Sequence, residues 1–211
     1  AGRVSVAAKM AADLLQRIPQ DVDAVLTTTA GCGSTLKEYS HVTSGTPAHA
    51  QGQWLEQNVK DICEFLDELG LAPPAGLPRL MRVAYHDACH LLHAQKIGQA
   101  PRRLLSKINN LQLVELPSAG SCCGSAGSYN IEQPGLAEVL GRDKSREILK
   151  TEVHAVATGN IGCMVQLQRH LRDSSNNPPP VWHTIEVLER AYRPRSLTEM
   201  DSVAQMSPTM Y

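Results

Sequence analysis

The sequence predicts an α/β protein built on a parallel sheet, and three observations lead to that fold class. Short apolar strands alternate with helices of the length that crossover connections require. Hydrophobic residues make up 42% of the 211 residues and charged residues 19%, which is enough apolar material for a core. The aromatic content is only 4%, so we expect this core to consist of Leu, Val, Ile and Ala.

Composition and charge exclude several classes of protein. The formal net charge is −1, from 20 Lys and Arg against 21 Asp and Glu, so the sequence offers no basic surface for nucleic acid. No apolar run approaches the roughly 20 residues of a membrane-spanning helix. No charged-then-apolar signal segment opens the sequence. We therefore expect a cytoplasmic protein without a membrane span and without a nucleic-acid partner.

Helical periodicity and one apolar strand account for the N-terminal part. The stretch VSVAAKMAADLLQRI predicts an amphipathic helix that ends near Pro19. DAVLTTTAGC predicts a strand that turns at Cys32, and GSTLKEY predicts a short helix after it. Apolar residues recur at helical spacing in QWLEQNVKDICEFLDELG, which predicts one helix over 53–69 with Cys63 as a buried small hydrophobe. The Pro- and Gly-rich LAPPAGLPR then predicts a linker.

Three strands in the C-terminal part each lead to cysteine. MRVAY predicts a strand before Cys89, and LQLVEL predicts a strand that enters the Gly/Ser-rich turn of Cys122 and Cys123. HAVAT predicts a strand before Cys163, with the helices LAEVLGRDKSREILKTE and MVQLQRHLRD on either side of it. PVWHTI predicts a short strand or extended segment and EVLERAY a last helix, while residues 195–211 have no period and predict a flexible tail.

All cysteines except Cys63 follow a predicted strand directly. In parallel sheets, ligands bind beyond the carboxyl ends of the strands. The even number of cysteines would also suit three disulfides in a secreted scaffold, but the normal core composition and the missing export signal argue against this. We therefore expect a ligand-binding edge formed by Cys32, Cys89, Cys122, Cys123 and Cys163.

An internal repeat relates the two ends of the sequence. VDAVLTTTAGCGSTL (22–36) and VHAVATGNIGCMVQL (153–167) share seven of fifteen positions without a gap, including the Gly-Cys pair. This predicts a duplication. Residues 1–50 are then the C-terminal part of a first unit, residues 51–194 a second and complete unit, and residues 195–211 the tail. Cys32 becomes a ligand whose companions are absent from this sequence.

Four thiolates at one edge of a sheet suit a soft metal centre, either zinc or an iron–sulfur cluster. Cys122 and Cys123 are adjacent, and neighbouring sulfurs reach different irons of a cluster more readily than they chelate one tetrahedral ion. The surrounding AGSCCGSAGS, with Gly124, lets both sulfurs face one side and offers main-chain N–H groups to cluster sulfides. The pattern favours a cluster held by Cys89, Cys122, Cys123 and Cys163.

Histidines around Cys89 leave a zinc site open as the alternative. His86, His90 and His93 flank this cysteine in HDACHLLH, and Cys89 with these histidines would suit zinc. The pattern favours a different interpretation, in which the histidines flank the turn and donate hydrogen bonds to carbonyls or to a cluster sulfide. Zinc at this set would leave the CCG pair unexplained.

The motifs HDACHL, SCCGSAGSYN and NIGCMVQL together resemble the cysteine-rich CCG domain. That domain occurs in one of the heterodisulfide reductase subunits, in an anaerobic glycerol-3-phosphate dehydrogenase subunit, in the lactate-utilisation iron–sulfur protein and in the glycolate oxidase iron–sulfur subunit. TAGCGSTLKEY, SCCGSAGSYN and NIGC followed by VWHTIEVLE are most similar to the glycolate oxidase iron–sulfur subunits. The resemblance covers about residues 1–192.

The resemblance implies an iron–sulfur electron-transfer subunit of a glycolate or other 2-hydroxyacid dehydrogenase. In such complexes a flavoprotein partner oxidises the hydroxyacid and electrons pass through clusters towards a quinone or another membrane acceptor. This implies peripheral attachment to the inner membrane through the complex. Members also carry ferredoxin-type cysteine runs, and because no C-x-x-C-x-x-C run occurs here, that N-terminal part is missing from this sequence. We expect no hydroxyacid oxidation by this chain alone, since it has no flavin or nicotinamide fingerprint.

Asn160 departs from the fullest CCG pattern, which closes with C-x-x-C. The stretch Asn160-Ile161-Gly162-Cys163 leaves four protein thiolates where the pattern has five. The five-cysteine set carries a non-cubane cluster in heterodisulfide reductases, so the resemblance implies either an ordinary 4Fe–4S cluster or an altered, non-cubane one. We expect Asn160 to cap a turn or to hydrogen-bond a sulfide. The alternative function is a zinc-binding or structural docking module of a related lactate, glycerol-3-phosphate or heterodisulfide oxidoreductase complex.

Overall fold

Helices and parallel strands alternate along residues 2–193, the part of the chain that the computed structural model describes. The N-terminal part contains α1 (Val4–Leu15), β1 (Val25–Thr27), α2 (Ala30–Leu36), α3 (Tyr39–Val42), α4 (His49–Asn58), β2 (Val59–Asp61) and α5 (Ile62–Leu69). The C-terminal part contains β3 (Met81–Tyr85), a π-helical turn (His90–Ala94), α6 (Gln99–Ser106), β4 (Leu111–Glu115), α7 (Tyr129–Glu132), α8 (Pro134–Lys150), β5 (Ala155–Thr158), α9 (Ile161–Ser174), β6 (Val181–His183) and α10 (Thr184–Tyr192). The predicted α/β class with parallel strands is confirmed, and the predicted tail lies outside the described residues.

The larger sheet has four parallel strands in the order β4-β3-β5-β6. The chain runs from β3 outward to β4 and then returns across β3 to β5, so the direction of winding reverses between β3 and β5. Tyr85 and Ala157 are register partners at the carboxyl end of this pair. In open parallel sheets a reversal of this kind leaves a crevice beyond the strand ends, where ligands bind.

The smaller sheet pairs β1 with β2 in parallel and corrects one prediction. The single helix predicted over 53–69 is wrong, because β2 separates α4 from α5. Val59 is 2% exposed and packs with the buried Leu15 and Leu55, while its backbone pairs with β1. Asp61 then starts a new helix, since its carboxylate accepts a hydrogen bond from Cys63 N at 2.8 Å. The pairing also places residues 59–61 beside the first predicted unit, beyond its predicted boundary at residue 50.

Alternation along the strands divides the core between the two faces of the larger sheet. Ala84 and Val156 belong to one buried cluster with residues of α9, whereas Val83 and Tyr85 belong to a second cluster with residues of α6 and α10. Cys63 is fully buried in the second cluster, which confirms its interpretation as a small hydrophobe. Within residues 2–193 no helix combines the length and the apolar character needed to cross a bilayer.

Candidate metal centre

The cysteine site lies at the carboxyl ends of β3, β4 and β5. Cys89 precedes the π-helical turn that follows β3, Cys122 and Cys123 lie in the loop after β4, and Cys163 lies in the first turn of α9 after β5. The backbone N–H of His86 donates to Ala157 O at 2.9 Å, which holds the ends of β3 and β5 together. The strand order therefore brings three separate stretches of chain to one crevice.

Four thiols form a continuous series in this crevice. Cys89 interacts with Cys122, Cys122 with Cys123, and Cys123 with Cys163. Cys123 and Cys163 are only 1% and 2% exposed, whereas Cys89 and Cys122 are partly exposed. The series thus runs from the protein surface into the core.

Hydrogen bonds between the thiols lower the pKa of two of them and raise the pKa of the other two. The pKa of Cys122 is lowered, chiefly because the Cys123 and Cys89 thiols donate hydrogen bonds to its sulfur. The pKa of Cys163 is also lowered, mainly by the Cys123 thiol, against the opposing effect of burial. The pKa values of Cys89 and Cys123 are raised, because each donates its proton to a neighbouring thiolate. A bound cation would favour ionisation of all four, since it offsets the repulsion between thiolates in contact.

Glycine at position 124 is required by the shape of the CCG turn. Gly124 has a φ of +90°, and its N–H donates to Cys122 Sγ at 3.2 Å. A Cβ at this position would lie 2.5 Å from the carbonyl oxygen of Ala137 in α8. The start of the turn is held by Lys144, which is 3% exposed and donates to Ser118 O at 2.9 Å. The loop is therefore packed directly against α8.

Two buried polar side chains contact the innermost thiols. Asn160 Nδ2 donates to Cys163 Sγ at 3.3 Å, and its Oδ1 accepts from Gly31 N at 3.3 Å. Ser125 Oγ lies 3.4 Å from Cys123 Sγ and 3.7 Å from Cys163 Sγ. Asn160 is the N-cap residue of α9, but its side chain makes no capping hydrogen bond. Asn160 thus does not cap α9 but contacts a cysteine sulfur, and its expected hydrogen bond to a cluster sulfide stays a prediction.

The other predicted site residues are Cys32, His90 and His93, which do not belong to the series of four thiols. Cys32 is exposed and lies within α2, not in a turn before it. Its influence is seen on Tyr39, whose pKa rises first through burial and then through the nearby Cys32. Within residues 2–193, the possible metal ligands that lie close together in a group of three are His86, Cys123 and Cys163, and not Cys89 with the three histidines. His90 Nδ1 does lie 3.6 Å from Cys89 Sγ, but His93 Nε2 contacts Gly120 O at 2.9 Å.

His86 has a more central place than the sequence pattern suggested. It is 1% exposed, and one of its ring nitrogens lies within 4.8 Å of Cys123 Sγ and Cys163 Sγ. The sequence pattern marked it only as one of the histidines around Cys89, three residues before this cysteine and at the end of a buried strand. The donor set of soft thiols with one imidazole therefore fits a zinc ion or iron of a cluster.

Comparison with known proteins identifies the same region. Residues 83–168 match the CCG family, described as a cysteine-rich domain. The chain is 35% identical over 181 residues to one of the subunits of fumarate reductase (CoM/CoB) from Methanothermobacter marburgensis, covering 84% of this chain and 34% of that protein. It is 35% identical over 155 residues to a probable glycolate oxidase iron-sulfur subunit of Bacillus subtilis, covering 70% and 34%. It is 29% identical over 182 residues to lactate utilization protein A of Geobacillus kaustophilus, covering 86% and 76%.

The matches cover different fractions of the relatives. The chain spans about a third of the length of the first two relatives and about three-quarters of the third. The matched family region runs from β3 into α9 and contains all four thiols of the crevice. The chain therefore carries a cysteine-rich domain of the CCG family, as its motifs predicted, and is related to the iron–sulfur subunits of oxidoreductases.

Proposed function

We propose that this chain is an iron–sulfur electron-transfer component and that Cys89, Cys122, Cys123 and Cys163 bind its cluster. The observation that carries the proposal is the contact series of these thiols at the point where the winding of the sheet reverses. A cluster bound here would supply one-electron redox chemistry. The protein would bury the side formed by Cys123 and Cys163 and leave the Cys89 and Cys122 side open to a partner.

The number of thiols supports a 4Fe–4S cluster. Four protein sulfurs are the usual ligand set of a four-iron cluster. Hydrogen bonds from Asn160 Nδ2 to Cys163 and from Gly124 N to Cys122 are of the type that adjusts the reduction potential of a bound cluster. An altered, non-cubane cluster is the variant of this proposal that needs a further ligand.

We propose a 2-hydroxyacid dehydrogenase complex as the setting, with glycolate as the substrate of a flavoprotein partner. The names of the Bacillus and Geobacillus relatives, which refer to glycolate oxidase and lactate utilization, support this substrate class. Attachment to the inner membrane would come through the complex. The test is purification of the tagged chain from its native cells, followed by flavin analysis and addition of glycolate or lactate. Cluster reduction by glycolate alone supports the proposal, and reduction by neither acid rejects it.

A matched pair of cysteine variants tests cluster binding itself. Cys123 and Cys63 are both buried, at 1% and 0% exposure, but only Cys123 belongs to the crevice. After anaerobic reconstitution we expect about four irons and four sulfides per chain in the wild type. Cys123→Ala should lose most of this iron together with the electron paramagnetic resonance signal, whereas Cys63→Ala should retain both.

The zinc alternative predicts a different composition. One zinc per chain in the wild-type protein, with no iron or sulfide after reconstitution, would replace the proposal by a structural docking module. Equal iron loss in Cys123→Ala and Cys63→Ala would also contradict it, because the loss would then follow from damage to the core.

We also propose that residues 1–50 belong to a first CCG unit and that residues 51–194 contain the second. Matching local geometry supports the duplication: Thr29 and Asn160 are both extended N-cap residues, and each precedes a helix with cysteine at its third position. The parallel strands β2 and β6 are each followed by a helix that starts with a capping box. Cys32 then belongs to the first unit, so Cys32→Ala should leave the iron content of this chain unchanged. A loss of iron would contradict the assignment.

A further inference from the structure

His86 places a buried imidazole beside the innermost thiols. This side chain lies at the end of β3 and is 1% exposed, and its backbone N–H pairs with Ala157 O. Within residues 2–193 its Nε2 atom is buried and has no hydrogen-bond partner. Burial of a polar atom without a partner costs free energy, and buried polar groups in native proteins nearly always have one. An atom outside the polypeptide would supply the missing interaction.

The surroundings of the ring indicate what that atom is. A ring nitrogen of His86, Cys123 Sγ and Cys163 Sγ all lie within 4.8 Å of one another. Cys163 interacts with the His86 side chain, which helps to lower the pKa of that thiol, and with Asn160, whereas Cys123 Sγ lies next to Ser125 Oγ. Imidazole nitrogen and thiolate sulfur are both good ligands for iron and zinc. The three atoms thus surround a space suited to a metal ion.

We infer that His86 is a nitrogen ligand to one iron of the cluster, in addition to the four thiolates. This inference rests on the proposed function in its non-cubane variant, since four thiolates already complete the coordination of an ordinary 4Fe–4S cluster. It would supply the fifth ligand where Asn160 stands in place of a cysteine. A neutral imidazole adds less negative charge than a thiolate, so the cluster has a higher reduction potential than with a fifth cysteine.

Spectroscopy of the reconstituted wild-type chain tests the ligand directly. Histidine labelled with heavy nitrogen would be incorporated, and its coupling to the reduced cluster measured by pulsed electron paramagnetic resonance. X-ray absorption at the iron edge would report a nitrogen neighbour in every oxidation state. We expect strong coupling to one histidine nitrogen, lost in His86→Gln and retained in His90→Gln. His90 is the matched control because its Nδ1 lies 3.6 Å from Cys89 Sγ.

Failure of the inference differs from failure of the proposed function. A complete cluster whose irons have sulfur neighbours alone would overturn the role of His86 and leave the four-thiol cluster standing. Loss of the nitrogen signal in His90→Gln, with retention in His86→Gln, would also overturn it. A wild-type chain that takes up no iron and sulfide would reject the proposed function and this inference together. Because the wild type carries the main measurement, a variant that fails to fold does not decide the result.

Discussion

Replacing Arg102 with methionine removes the counter-charge of a buried carboxylate next to the cysteine site. The Arg102 guanidinium donates two parallel hydrogen bonds to Asp87, Nη1 to Oδ1 and Nη2 to Oδ2, each 2.8 Å long. Asp87 is only 3% exposed, and it lies between His86 and Cys89 in HDACH. These hydrogen bonds, followed by those to Glu115, raise the pKa of Arg102. The pair is therefore a bidentate contact in which one member is almost fully buried.

The expected loss of stability follows from the burial of Asp87. Removing one partner of a buried ion pair costs about 3–5 kcal/mol, because the other charge is left uncompensated. We expect about 3 kcal/mol, at the lower end of this range. In the wild type the Arg102 guanidinium carbon lies 4.8 Å from the centroid of the Tyr85 ring, and methionine keeps much of the side-chain stem over this ring. For a protein of this size that loss lowers Tm by about 6–12 °C.

Urea unfolding followed by circular dichroism measures this change, with the neighbouring arginine as the matched control. Arg103 lies on the same helix and pairs with Asp67, but its side chain is 58% exposed. Arg103→Met should therefore shift the urea midpoint far less than Arg102→Met. Asp87→Asn combined with Arg102→Met should recover most of the stability, because the unpaired buried charge is gone. Equal shifts in the two single variants, or no recovery in the double variant, would show that the buried charge of Asp87 is not the cause.

Two further predictions concern the CCG turn and the start of α5. Gly124→Ala should bind much less iron on reconstitution than the wild type, whereas Gly127→Ala should bind the normal amount. Both glycines have a positive φ, but only a Cβ at Gly124 would meet a backbone oxygen. Equal iron-to-protein ratios in the two variants would contradict this prediction. Burial raises the pKa of Asp61 above 3.8. The protonated carboxyl group therefore contributes a stabilisation that is complete below the pKa of the unfolded state and is lost as the pH rises through the pKa of the folded state. Asp61→Asn, which keeps the capping acceptor, should thus gain free energy of unfolding relative to the wild type from about pH 4 upward. Urea unfolding at several pH values measures the difference, and a difference that stays constant with pH would be the contrary result.

Local patterns predicted the elements well where strand and helix signals did not depend on distant contacts. The strands that lead to Cys89, Cys122 and Cys163 are β3, β4 and β5. The helix predicted over 53–69 failed because Val59 pairs with Val25, a contact that no window of local sequence contains. Asp61 was a usable signal, since an acidic residue followed three positions later by Glu64 is a capping box within that stretch.

Residue patterns alone were enough to establish the fold class, the alternation of strands and helices, and the position of three cysteine stretches after strands. Which cysteines and histidines meet depends on the packing of the whole chain. The order β4-β3-β5-β6 places the ends of β3 and β5 side by side, so Cys89, Cys163 and the CCG turn share a crevice, whereas Cys32 is exposed. The same packing turned His86 inward and left His93 at the surface, although both flank the same cysteine. Residue spacing determines on which face of its own strand or helix a side chain lies. Strand order and burial depend instead on contacts between distant parts of the chain.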